Sequence, residues 1–133
     1  MFRSLCFAGA LVIVGCTPMS SVPTNRPCGA DGRLIGKWRT DVRLTQLGRG
    51  YHEVEYRCDC TFKLRMTFLD SHIDMGEPIG RFKTTGDQLI WHVDNRTGTD
   101  RFWFEGNQLV EREGPETGTD TFRYKKVGEI SCD

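Results

Sequence analysis

Residues 61–68 read TFKLRMTF and alternate without a break: Phe62, Leu64, Met66 and Phe68 against Lys63, Arg65 and Thr67. A period of two places each set on one face of an extended chain, one face suited to burial and the other to water. A helix cannot use this pattern, because its 3.6-residue period would scatter the four apolar side chains around the circumference. Just before this run, His52, Val54 and Tyr56 alternate with Glu53, Glu55 and Arg57. Only Cys58-Asp59-Cys60 separates the two, so the link is a tight turn and the pair reads as a hairpin.

The rest of the chain repeats the theme. A first strand spans 34–44 and carries Gly36-Lys37-Trp38. Residues 80–85 run into the turn Gly86-Asp87, and 89–93 follow. Residues 100–105 run into Gly106-Asn107, then 108–112; after Gly114-Pro115 and Gly118 comes the last strand, 119–127. On these strands Trp38, Phe82, Leu89, Trp91, Phe122 and Tyr124 are expected inward, as are Phe102 and Phe104 in preference to Trp103. About eight strands joined by short loops pair with their sequence neighbours. The expectation is therefore an all-β, up-and-down antiparallel meander of about eight strands, closed into a barrel that leaves no free edge.

The first residues are of another kind. Arg3 gives a short positive end, residues 4–14 are apolar, and the run closes Ile13-Val14-Gly15-Cys16. The apolar stretch has signal-peptide length and falls short of the roughly 18 residues a membrane span needs. Ile13-Val14-Gly15-Cys16 resembles a bacterial lipobox. That resemblance implies a signal peptide over 1–15, a diacylglycerol thioether on Cys16 with acylation of its amine, and attachment to the cell envelope. Stable anchoring follows from two or three acyl chains at about 0.8 kcal/mol per buried methylene. Thr17 in place of an aspartate implies the outer membrane, facing the periplasm. Residues 16–32 are rich in Pro, Ser and Gly and read as the lipidated cysteine and a flexible tether, with the barrel domain at 33–133.

The chain has six cysteines. With Cys6 in the leader and Cys16 lipidated, Cys28, Cys58, Cys60 and Cys132 remain as disulfide candidates. An even number in an exported domain points to two bridges. A bridge between Cys58 and Cys60 would be strained, so Cys28 and Cys132 are each expected to reach the 58–60 turn. Which takes which is open. A zinc site would call for two tight Cys pairs, and there is only one.

Gly36-Lys37-Trp38-Arg39 on the first strand resembles the Gly-x-Trp signature of lipocalins and lipocalin-like domains. In the order of small bacterial members of that group, the chain then carries Asp59-Cys60-Thr61-Phe62, Gly80-Arg81-Phe82, Gly86-Asp87-Gln88-Leu89, Gly106-Asn107-Gln108-Leu109 and Tyr124-Lys125-Lys126-Val127. The likeness covers about residues 33–127. Cys60 stands where the group has glycine. The resemblance implies that Trp38 closes one end of the barrel under a basic residue from the last strands, for which Arg123 and Lys125 are the candidates. It further implies an interior able to hold a small apolar ligand, with Trp38, Phe62, Met66, Phe68, Phe82 and Trp91 as candidate contacts.

Other classes find less support. Eighteen basic against eighteen acidic residues leave no net charge to attract nucleic acid. No phosphate loop and no Gly-x-Ser-x-Gly stands in the chain, and the pairs Glu53/Glu55 and Glu111/Glu113 are read as solvated outer faces. No enzyme and no cofactor is expected. His72-Ile73-Asp74 and His92-Val93-Asp94 have a spacing metal ligands can use, but both are read as solvated, so no metal is expected. Lys63, Arg65, Arg101, Arg123 and Lys125 read as a mixed outer face, or as a contact for anionic lipid headgroups if they cluster. Two functions remain: a barrel binding a small apolar ligand at the membrane, or a filled barrel whose loops at 70–78, 94–99 and 114–118 engage an envelope protein or an incoming enzyme.

Overall fold

The structure is a computed structural model; it describes residues 27–44, 46–74, 78–116 and 118–132. The expected leader and Cys16 lie outside the described residues. Strands run β1 (Gly36–Leu44), β2 (Gly48–Tyr56), β3 (Thr61–Phe68), β4 (Ile73–Asp74), β5 (Ile79–Thr85), β6 (Gln88–Val93), β7 (Arg96–Glu105), β8 (Gln108–Arg112) and β9 (Thr121–Gly128). Among the described residues the only helical turns are 3-10 turns at Pro27–Gly29 and Gly32–Leu34.

Every pairing is antiparallel and, apart from β4, each strand lies beside its sequence neighbours. The pairing of β1 with β9 closes the ring into an eight-stranded barrel. The two-residue β4 folds back on the far end of β3, whose first half pairs with β5. Closure joins β1 to β9 through Lys37–Arg39, so the two strands at the ends of the meander do not run as open edges over that stretch.

The turns follow from their residues. Gly86 and Gly106 take positive φ, 60° and 62°, at the first central position of two-residue hairpins, a conformation glycine adopts with least strain. Asp94 does the same at φ 56°, so β7 begins at Arg96 and the loop expected over 94–99 contracts to two residues. In the 58–60 turn, Asp59 Oδ1 accepts from Thr61 N at 3.0 Å and from Thr61 Oγ1 at 2.6 Å. Cys60 sits at φ 64°, the left-handed conformation glycine would favour, and is tied there by a disulfide.

The bridges are Cys28–Cys60 and Cys58–Cys132, with Cα–Cα separations of 6.0 and 5.5 Å. Residues 28 and 132, close to the two ends of the described residues, are thus tied to the β2–β3 turn. The packed body begins earlier than the tether reading of 16–32 implied, since Ala30 is buried with the core and Asp31 caps the turn that brings in Leu34.

The up-and-down order sorts the connections. The β2–β3, β5–β6 and β7–β8 turns lie at one end with the start of β1 and the end of β9; the β1–β2, β3–β5, β6–β7 and β8–β9 connections form the other rim. At the first of these ends the interior is filled. Trp38, 3% exposed, packs with Leu34, Phe82, Leu89, Phe102 and Leu109. Its Nε1 donates to the Leu34 carbonyl at 2.7 Å, and Phe104 lies 6.0 Å from its ring. The cation over that ring is Lys126, with Nζ at 5.4 Å, rather than Arg123 or Lys125. Period two explains the correction: Lys126 shares the inward face of Tyr124, and Gly36 leaves room for its side chain.

Candidate ligand cavity

Toward the opposite rim the interior is hollow. A cavity of about 370 Å³ opens there, walled by Phe62, Leu64, Trp91, Val93 and Phe122. That lies at the small end of the roughly 300–1,000 Å³ range of small-molecule sites. Gly98 is buried opposite Trp91, whose ring lies across its backbone where a Cβ would otherwise stand. The Arg96 guanidinium caps the same ring at the mouth, 5.9 Å away.

The polar part of the lining was not anticipated. Glu111 and Glu113, read from the sequence as solvated, both line the cavity, and Glu111 is only 7% exposed. The register explains why: Glu111 lies between Phe102 on β7 and Phe122 on β9, on the inward side. With Leu109 inward, positions 111 and 113 must follow; the acidic residue type overrode the period in the sequence reading. The same rule turns Asp100 inward beside Phe102, and His52 inward beside Val54. Glu53 and Glu55 do face out, paired with Arg39 at 2.7 Å and with Arg57 at 2.6 Å.

These groups are linked across the barrel. Tyr56 on β2 donates its hydroxyl to Glu111 Oε2 on β8. Tyr124 Oη lies 3.2 Å from His52 Nδ1. Asp100 accepts from Gly114 N at 3.0 Å and from the Trp91 side chain. Burial, reinforced by the charges of Asp100 and Glu113, pushes the Glu111 carboxyl up to about 7 against the pull of the Tyr56 hydrogen bond. Burial likewise raises Asp100 and Glu113, lifts the Tyr56 and Tyr124 phenols far up, and lowers His52. The cavity is therefore an aromatic pocket with a wall of carboxyls that resist ionisation.

Of the six aromatic and Met candidates, Phe62 and Trp91 line the cavity. Trp38 and Phe82 lie in the filled end, and Phe68 is fully buried beneath Gly50. Met66 is half-buried opposite His52 and is not part of the lining. His72 is exposed in the turn after β3, Asp74 pairs with Arg65 at 2.7 Å, and His92 is exposed with Nδ1 2.8 Å from Thr97 Oγ1. Asp94 is exposed and stands at the cavity mouth. Arg101 pairs with Asp87 and Arg123 with Glu105, so these cations sit in a mixed outer face.

Compared with models of protein families, with curated proteins and with solved structures, the chain matches none.

Proposed function

We propose that this protein is a lipid-anchored component of the bacterial envelope whose barrel binds a small, largely apolar molecule, without catalysis. The observation that carries the reading is the aromatic-walled cavity of about 370 Å³ beside the packed core around Trp38, Phe82, Phe102 and Leu109. A barrel serving only as a scaffold for loops would gain stability by filling that space, since each missing contact forfeits packing energy. The lipobox resemblance at Cys16 supports the anchor, and the Gly-x-Trp resemblance, with Lys126 over Trp38, supports a lipocalin-like barrel.

Two measurements test this. Labelling cells with palmitate should mark the wild-type chain in the membrane fraction and leave a Cys16→Ser variant unmarked. The neutral fluorophore N-phenyl-1-naphthylamine should brighten with saturable, one-site behaviour in the purified barrel. It should lose that signal in Gly98→Val, where the new side chain displaces Trp91 into the cavity. Unlabelled wild type in the soluble fraction would remove the anchor, and absence of any saturable binding would remove the ligand.

A further inference from the structure

The cavity is unusual in the sign of its polar groups. Among the described residues, four carboxyls line it, from Asp94 at the mouth through Glu113 and Asp100 to Glu111, against one guanidinium, Arg96, which also lies at the mouth. A pocket meant only for hydrocarbon would not hold them, because burying a carboxyl without a charge partner is costly. Glu111 Oε2 takes the Tyr56 hydroxyl, while no described residue donates to Oε1 of this buried side chain, which lines the void. The Tyr124 hydroxyl is engaged with His52. Among the described residues no three His, Cys, Asp or Glu side chains converge as metal ligands do. The carboxyls are instead spread around an aromatic chamber.

We propose that the cavity selects an amphiphilic organic cation, a protonated amine on an apolar body of one or two rings or a short alkyl chain, with its ammonium beside Glu111 and Asp100. This deepens the ligand-binding reading above and rests on it. The ammonium supplies the donors that Glu111 and Asp100 can accept, and its charge relieves the repulsion among Asp100, Glu111 and Glu113. The apolar body lies against Phe62, Trp91 and Phe122, whose ring faces also favour a cation. The rival occupant is an apolar carboxylate with its headgroup at Arg96; it would add a further negative charge to a wall already rich in them.

Binding is coupled to protons. The ionisable groups facing Glu111 are His52 and Tyr56 from β2, Asp100 from β7, Glu113 beyond the end of β8, and Tyr124 from β9, with Asp94 and Arg96 at the mouth. Burial keeps the two phenols and His52 uncharged near neutral pH, so the carboxyls are the groups that change. Glu111 must give up its proton to receive an ammonium, and affinity for an amine therefore rises with pH through neutrality.

The test uses the full chain carrying Cys16→Ser, so that no acyl chain on residue 16 can compete for the cavity. Isothermal titration with tryptamine, tryptophol and indole-3-propionate holds the apolar body nearly constant while the headgroup runs from cation through neutral to anion. Octylamine, octanol and octanoate repeat the series on a flexible body. The amine should bind about tenfold tighter than the alcohol in at least one series, as expected for one charge-assisted hydrogen bond. The carboxylate should bind weakest. Glu111→Gln, which keeps an acceptor for Tyr56, should bring amine and alcohol within about threefold, and the rise in amine affinity between pH 6 and 8, roughly tenfold in wild type, should vanish with it. Alcohol or carboxylate binding as tightly as the amine would overturn the cation inference and leave the ligand-binding reading standing. No binding of any of the six to a folded barrel that also fails to brighten N-phenyl-1-naphthylamine would overturn both.

Discussion

At the scale of single residues, Glu111 is the side chain whose surroundings differ most from what its type suggests. Its carboxyl is held up to about 7 in the fold against an ordinary value of 4.5. The folded state therefore keeps a proton that the unfolded chain has already lost, and stability falls as pH rises from the unfolded value through the folded one. Asp100 and Glu113, also raised, act in the same direction. His52, lowered by burial, acts oppositely below about pH 6.5, so the clean window lies above that. Between pH 6.5 and 8.5 the ligand-free wild type should lose stability in urea titrations. Glu111→Gln should lose about 1 kcal/mol less over that window, because most of the effect falls between pH 4.5 and 6.5, and should end about 3 kcal/mol more stable than wild type at pH 8.5. Equal pH dependence in the two proteins would mean that Glu111 is not the group titrating.

Elements depend on how their ends are tied. The Cys28–Cys60 bridge closes 32 residues of chain and Cys58–Cys132 closes 74, so each restricts the unfolded state over a long loop, by about 4 kcal/mol in the chain-entropy view. Replacing Cys58 and Cys132 together by Ser should cost about 2–4 kcal/mol in denaturant titrations. It should nevertheless leave the far-ultraviolet spectrum of the sheet unchanged, because residue 132 lies beyond the last strand. Non-reducing peptide mapping should recover the pairs 28–60 and 58–132. The sequence narrowed the pairing to the 58–60 turn without choosing between the two arrangements. The choice rests on where the two ends of the chain arrive around that turn, a property of the closed barrel that no local pattern carries.

Across the whole molecule, packing is uneven by design of the topology: one end filled by Trp38, Leu34, Phe82, Phe102 and Leu109, the other hollow. Amides of Trp38, Phe82, Phe102 and Leu109 should exchange only by global unfolding, while those of Thr97–Thr99 and Thr121–Arg123 near the rim should open locally and gain protection when the cavity is occupied. Hydrogen exchange with and without tryptamine measures both; uniform protection along the barrel would contradict the division.

The period of two by itself determined the strands, their short turns, the antiparallel order and most of the interior. It does so because alternation is a local property, and a half-buried strand is the one element that satisfies it. It also carried Asp100, Glu111 and Glu113 inward through Phe102 and Leu109, although acidic side chains argued for the opposite face. Only the tertiary structure decided the register in which β1 and β9 close the expected barrel, that Lys126 covers Trp38, and that the inward carboxyls meet aromatic rings around a void. Those outcomes depend on register between strands distant in sequence and on how far each side chain reaches across the interior, which alternation along one strand does not encode.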